Sequence, residues 1–143
     1  MQGTQSTTTC GPTVSSCERA AVPLRALVAD DDPDMSSMVV SMLHQDGFVV
    51  EEAADGERLW DLINDGTRTD LVVTDLQMPG ISGMDVLARM QRMHSTIPVI
   101  LMTGFAGANL RLQALRKGAA AVLSKPFSAQ ALHALVAKHV RRI

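Results

Sequence analysis

Cysteine is scarce in this sequence: only Cys10 and Cys17 occur among 143 residues, and both lie in a Ser/Thr-rich N-terminal stretch. Small secreted domains with a disulfide framework carry more cysteines, distributed through the part of the chain that folds. We therefore expect no disulfide to stabilise this fold.

Long apolar runs are missing as well. No stretch of the sequence reaches the roughly 18 consecutive apolar residues that a membrane-spanning helix needs, and the first residues lack the basic start and apolar run of a secretory leader. From these two absences we expect a cytoplasmic protein with no membrane contact.

Neither sign of charge dominates. Lysine and arginine total 13, aspartate and glutamate total 15, and 46% of the residues are hydrophobic. This balance excludes a chain that is disordered throughout and does not indicate a polybasic nucleic-acid surface. We expect no direct nucleic-acid binding and one folded domain, because cores of roughly 100 to 150 residues are the commonest size.

The chain divides into a polar stretch and a periodic stretch. Residues 1–23 have no hydrophobic periodicity, so they predict a flexible tail ahead of a domain at 24–143. In that domain five apolar runs alternate with amphipathic helical patterns. The strand candidates are 25–29, 48–53, 70–75, 98–103 and 120–124.

Helix signals follow each strand candidate. The first helix has Asp32 placed as its N-cap and Pro33 in its first turn, whereas the fourth is predicted by a looser stripe of Leu110, Leu112 and Leu115. Strands that are apolar on both faces and separated by helices require a parallel sheet covered on both sides. The sequence therefore predicts a doubly wound α/β domain with a five-stranded parallel sheet.

Polar side chains stand where these strands end. The first run leads into Asp30 and Asp31, the third ends in Asp75, the fourth ends in Thr103, and Lys125 follows the fifth. Ligands of open parallel sheets bind beyond the carboxyl ends of the strands. Carboxylates gathered there repel one another unless a hard cation joins them, and Asp31 and Asp75, with waters and a backbone carbonyl, match Mg²⁺.

A bound cation explains the carboxylates but not the lysine and the threonine. A bound anion would explain both of these residues. If Asp75 carries a phosphoryl group, Lys125 and the metal neutralise its oxygens while Thr103 donates a hydrogen bond. Carboxylates are established nucleophiles in the formation of acyl phosphates. The pattern therefore predicts Asp75 as a phosphoacceptor at a solvent-accessible strand end.

Four pieces of the sequence, taken in order, resemble the CheY-like receiver domain of two-component response regulators over about residues 24–143: LVADDDPDM, LVVTDLQMPGISGMDVL, PVILMTG and KGAAAVLSKPF. The resemblance implies a flavodoxin-like (βα)5 fold with strand order 2-1-3-4-5. It also implies that Asp31 binds Mg²⁺ directly, Asp30 through water and Gln77 through its backbone carbonyl, with Asp75 as both ligand and phosphoacceptor.

The same resemblance implies roles for the remaining residues and for partners. Thr103 is the switch hydroxyl, and Lys125, ahead of a cis bond to Pro126, pairs with the phosphoryl group. The donor is the phosphohistidine of a sensor histidine kinase or phosphotransfer protein, and the domain catalyses its own phosphorylation and dephosphorylation without being an enzyme for other substrates. Output goes to a downstream protein target. Relatives also pair through the fourth helix, fifth strand and fifth helix when phosphorylated, where Arg111, Arg116 and Lys117 would add charge.

One residue departs from the family pattern. Many members carry an aromatic ring three residues before the lysine, whereas this chain has Val122, which cannot report by ring rotation; Phe105, two residues after Thr103, is a candidate for a related part. This departure leaves an alternative open, an interaction module that keeps the acidic pocket but works without phosphorylation.

Two other classes fit the residues poorly. A phosphatase of the haloacid dehalogenase type needs a general-acid Asp two residues after its nucleophile, and Gln77 occupies that position. A nucleotide-binding module lacks both of its glycine-rich phosphate-binding motifs here.

Overall fold

The computed structural model describes residues 23–78, 80–104 and 108–140. Apart from Pro23, the predicted tail lies outside these residues, as do Cys10, Cys17 and Phe105. Within the described part, strands and helices alternate along the chain as predicted. The strands are β1 (Leu24–Ala29), β2 (Phe48–Ala53), β3 (Leu71–Asp75), β4 (Val99–Thr103) and β5 (Ala121–Ser124). The helices are α1 (Pro33–Gln45), α2 (Gly56–Ile63), α3 (Gly83–Arg92), α4 (Ala108–Arg116) and α5 (Ala129–His139).

The five strands form one sheet in the order β2-β1-β3-β4-β5, and every neighbouring pair is parallel. All residues of β3 and β4 are buried, which is the condition of strands covered on both faces. The predicted doubly wound, flavodoxin-like fold and its strand order are confirmed. Among the described residues, no helix has the length and apolar character needed to cross a bilayer.

Successive residues of each central strand contribute to two separate cores. Leu27 of β1 and Val72 of β3 pack with α2, α3 and α4, while Val28 and Val73 pack with α1 and α5. This division follows from the two-residue period of a strand, which sends neighbouring side chains to opposite faces.

Helix α1 begins as the sequence predicts. The Asp32 carboxylate caps it by accepting a hydrogen bond from the backbone N–H of Asp34 at 3.1 Å, and Pro33 occupies the first turn. A capped start directly after β1 fixes where the chain turns away from the sheet. Asp30 and Asp31 are thereby held in the short segment between the strand and the helix.

The predicted stripe of α4 is wrong at two of its three positions. Leu112 and Leu115 are 46% and 44% exposed, and Ala114 is instead the buried residue of the helix among its described side chains. Leu110 packs against the core beside it. The reason is geometric: residues four apart share a helix face, so Leu110 and Ala114 point inward together and the other two leucines point outward.

A polar cluster lies at the end of the sheet where the strands begin, opposite to the rim that carries Asp30 and Asp75. The Arg25 guanidinium in β1 donates to the Asp65 carboxylate and the Thr69 hydroxyl, both at 3.0 Å, and its side chain is 10% exposed. The backbone N–H of Arg25 donates to Asp70 at 2.9 Å. These bonds fix the connection between α2 and β3 to the start of β1.

We expect Arg25→Ala to lower the free energy of unfolding by about 2 kcal/mol, because it removes a buried arginine and leaves the buried Thr69 hydroxyl without this donor. Urea denaturation followed by circular dichroism measures this loss. Arg68→Ala is the matched control: Arg68 pairs with Asp70 but is 67% exposed, so its loss should stay within about 0.5 kcal/mol. Equal losses in the two variants would contradict the role given to Arg25.

Candidate functional site

The parallel sheet brings chemically active side chains to one rim. Asp30 follows β1 and Asp75 is the last residue of β3, and each is less than a tenth exposed. Lys125 follows β5 and reaches across the end of β4 to both of them. Its ammonium donates to Asp30 Oδ2 and to Asp75 Oδ2, each at 3.0 Å. One cation therefore links the ends of three strands.

A third carboxylate joins the two that Lys125 contacts. Asp30, Asp31 and Asp75 each offer a carboxylate oxygen, and these oxygens lie within 4.8 Å of one another. Asp31 is exposed, so the cluster opens to solvent on that side. The cavity at this opening has a volume of about 400 Å³ and is lined by Asp31, Asp75, Gln77, Met78, Gly104 and Lys125.

The electrostatic state of the pocket follows from these contacts. The pKa of the Asp75 carboxyl is raised, chiefly by burial and in addition by the negative charge of Asp30. Hydrogen bonds from Lys125 and from the Gln77 backbone lower this pKa but do not cancel the rise. Burial lowers the pKa of Lys125, but its hydrogen bonds to Asp30 and Asp75 outweigh that effect, so its net shift is upward too. The two shifts have different main causes: burial dominates at Asp75, whereas the two carboxylate partners dominate at Lys125.

The other predicted site residues lie at the same rim. The backbone N–H of Gln77 donates to Asp75 Oδ1 at 3.2 Å, which turns the chain sharply after β3. Thr103 is buried at the end of β4, and the backbone N–H of Lys125 donates to its carbonyl at 2.7 Å. The peptide bond between Lys125 and Pro126 is cis, as expected. The structure thus brings every predicted site residue to one end of the sheet.

Sequence reasoning missed the contribution of Gly83. This residue begins α3 after the Ser82 cap, and a Cβ atom placed on it would lie 2.3 Å from the backbone oxygen of Asp75. Its N–H donates to the carbonyl of Leu76 at 3.0 Å. The sequence signal was a glycine at a helix start, where glycine has no special advantage over other residues. Here the close approach of α3 to the phosphoacceptor candidate excludes any side chain.

We expect Asp75→Asn to stabilise the protein at pH 7 in a chelator. Folding raises the pKa of this carboxyl above its unfolded value of 3.8. Its contribution to stability is therefore fully present at a pH below 3.8 and is lost as the pH rises through the pKa of the folded state. At neutral pH the ionised Asp75 therefore opposes folding, and the uncharged amide removes that cost. Thermal unfolding with EDTA at a series of pH values should show a gain that shrinks as the pH falls toward 4.

Asp70→Asn is the matched control for this experiment. Asp70 precedes the other end of β3, where it accepts hydrogen bonds from Arg25 and Arg68, so its neutralisation should bring no gain. A loss of stability in Asp75→Asn at pH 7 would show that Lys125 already balances the pocket.

We expect Gly83→Ala to cost about 2 kcal/mol of unfolding free energy, because the methyl group overlaps the Asp75 backbone and one of the two segments must move. Urea denaturation measures the cost. Gly104→Ala lies at the same pocket, where the added methyl group meets no atom of the described residues within 4 Å apart from its chain neighbours, and it should be tolerated. Similar costs for the two variants would mean that the contact of α3 with Asp75 is not tight.

Comparison with known proteins agrees with this geometry. A family model of the response regulator receiver domain matches residues 26–137. The chain is 36% identical over 118 residues to the transcriptional regulatory protein CpxR of Escherichia coli, which covers 82% of this chain and 50% of that protein. It is 34% identical over 119 residues to the transcriptional regulatory protein TcrA of Mycobacterium tuberculosis, with 83% and 47% covered. The chain thus spans about half the length of these curated relatives.

Solved structures show the same likeness. The chemotaxis protein CheY4 of Vibrio cholerae matches with a TM-score of 0.74 at 26% identity, over 83% of this chain and 100% of that one. A response regulator receiver domain protein from Clostridium thermocellum matches with a TM-score of 0.71 at 30% identity, over 81% and 93%.

The sheet order and the pocket of acids and lysine define a signalling domain of the receiver class. More specifically, the chain belongs to the response regulator receiver domain family, and residues 26–137 are a receiver domain of the two-component type.

Proposed function

We propose that this domain is a phosphoacceptor switch in which Asp75 takes a phosphoryl group from the phosphohistidine of a sensor histidine kinase or phosphotransfer protein. The observation that carries the proposal is the Lys125 ammonium, 3.0 Å from both Asp30 and Asp75 beside an open acidic pocket. Membership of the receiver family supports it. We take 24–143 as the extent of the domain.

The pocket fits Mg²⁺ on the chemistry of its donors. Its candidate ligands are carboxylate oxygens within 4.8 Å of one another, and neither histidine nor cysteine is among the residues that line the cavity. Hard oxygen ligands of this kind suit Mg²⁺, which keeps several of its waters. Asp31, Asp75 and the Gln77 carbonyl would hold the ion, with Asp30 acting through water. Bound there, it supplies positive charge for the oxygens of the transferred group.

The transfer exchanges one bond for another at phosphorus. An oxygen of the Asp75 carboxylate forms a bond to the phosphorus as the bond from phosphorus to the donor imidazole breaks, and the nitrogen keeps the electron pair and takes up a proton. Lys125 can follow the new phosphoryl oxygens, because its ammonium already contacts Asp75 Oδ2. The Thr103 hydroxyl would donate a further hydrogen bond from the neighbouring strand end. Hydrolysis by water then breaks the bond between phosphorus and Asp75, restoring the carboxylate and releasing inorganic phosphate.

We propose that the output of the switch is contact with a protein target. Phosphorylation would shift the domain between two conformations that the target distinguishes. The curated relatives are named transcriptional regulatory proteins and are about twice as long as the matched region.

We expect the wild-type protein, incubated with acetyl phosphate and Mg²⁺, to gain the mass of one phosphoryl group. Asp75→Asn should gain none, and Asp70→Asn, at the opposite end of β3, should gain it as the wild type does. Lys125→Ala should slow the gain by about 100-fold, because it removes the cation that meets the developing charge. Intact-mass spectrometry over time measures all four proteins, and EDTA should prevent the gain in every protein that shows one with Mg²⁺.

Failure of the wild type to gain mass with acetyl phosphate, phosphoramidate and a phosphorylated histidine kinase would overturn the proposal. That result would favour the interaction module that keeps the acidic pocket without using it for phosphorylation. Thermal unfolding of each variant checks that the protein tested is folded.

A further inference from the structure

The side chain of Arg111 ties helix α4 to strand β5. The Arg111 guanidinium donates to the backbone carbonyl of Val122 at 2.9 Å and to the hydroxyl of Ser124 at 3.1 Å. Among the residues that the structure describes, β5 pairs with β4 alone and so forms an edge of the sheet. Backbone groups on the open side of an edge strand need partners from outside the sheet, and Arg111 supplies one through a planar fork that meets two acceptors together.

The tie ends beside the proposed phosphoacceptor pocket. Ser124 precedes Lys125, whose ammonium contacts Asp75, and it lies in register with Thr103 of β4. The route from Asp75 to α4 therefore consists of one ion pair, one peptide bond and one hydrogen bond. Any shift of the backbone that accompanies a new position of Lys125 acts directly on the acceptors of Arg111.

The side chain of Val122 cannot signal the state of the pocket by changing its orientation, so the route through Arg111 gains importance. It is 8% exposed and packs in the core, and a valine has one side-chain torsion with few accessible rotamers. The carbonyl of the same residue is the one that Arg111 holds. At this position the chain thus has a hydrogen-bonded tie to α4 together with a fixed aliphatic side chain.

We propose that Arg111 is a positioning residue that couples the state of the acidic pocket to the position of α4. The proposal rests on the switch function proposed above for Asp75. When the pocket takes a charge that draws Lys125 away from its present place, the geometry at Ser124 changes and the fork of Arg111 loses or exchanges an acceptor. α4 then moves relative to β5, and its exposed Leu112 and Leu115 move with it.

A double-mutant cycle with Asp75→Asn and Arg111→Ala tests the coupling without depending on phosphorylation. The readout is amide hydrogen exchange along α4, measured by mass spectrometry in the wild type, both single variants and the double variant. We expect Asp75→Asn to change α4 exchange by about threefold to tenfold when Arg111 is present, as contacting networks do, and to leave it unchanged in the Arg111→Ala background. The same change in both backgrounds, or no change in either, would overturn the proposal.

Three further variants separate coupling from simple loss of contact. Arg116→Ala removes an exposed arginine from the end of the same helix and should leave the response of α4 to Asp75→Asn intact. Arg111→Lys keeps the charge without the two-acceptor fork and should restore only part of the response. Ser124→Ala removes one acceptor of Arg111 and should weaken the response of α4 to Asp75→Asn. Full coupling in Ser124→Ala and Arg111→Lys would show that the hydrogen bonds do not carry it.

The acetyl phosphate assay distinguishes failure of this proposal from failure of the switch function. If the wild type gains no phosphoryl group from acetyl phosphate, phosphoramidate or a phosphorylated histidine kinase but the cycle shows coupling, the function fails and the tie stands. If the wild type gains the group and the cycle shows none, the tie fails and the function stands.

Discussion

The structure depends on a mismatch of charge at one end of its sheet. Three carboxylates gather there against one ammonium, because parallel strands must end at the same rim and β1 and β3 both lead into aspartate. Lys125 cannot satisfy Asp30 and Asp75 fully while it serves both. The folded core holds this arrangement, and the excess of negative charge at the rim favours the binding of a cation.

The rest of the fold can be understood as what keeps that rim in place. Asp32 and Ser82 cap the helices that leave it, and Gly83 allows α3 to press against the carbonyl of Asp75. At the far end of the sheet Arg25 meets its carboxylate partner in a peripheral cluster. Charge is therefore balanced in the cluster around Arg25 and left unbalanced at the rim, a division expected of functional sites.

Much of this was visible in the sequence, because strand and helix periods are local signals. Every predicted strand is present, and the residues at the strand ends converge as the parallel topology requires. The contacts that were missed are those that no period encodes. Arg111 lies 11 residues from Val122, with its side chain crossing from helix to strand, and the approach of Gly83 to Asp75 depends on a helix direction set by packing. The stripe of α4 was misjudged because its leucines do not share a face.

A tie of hydrogen bonds transmits a signal differently from a rotating ring. A ring needs a cavity to enter, whereas the fork of Arg111 needs only its two acceptors to move apart, since hydrogen bonds weaken steeply with angle and distance. Such a tie also places a fixed positive charge at the edge of β5, so the edge strand stays capped while the tie is intact. Loss of the tie would remove the Arg111 partner of the Val122 carbonyl and leave α4 held through the core packing of Leu110 and Ala114. The charge of the pocket and the position of α4 are then joined by the same short network of contacts, so that a change at Asp75 alters the surface at that helix.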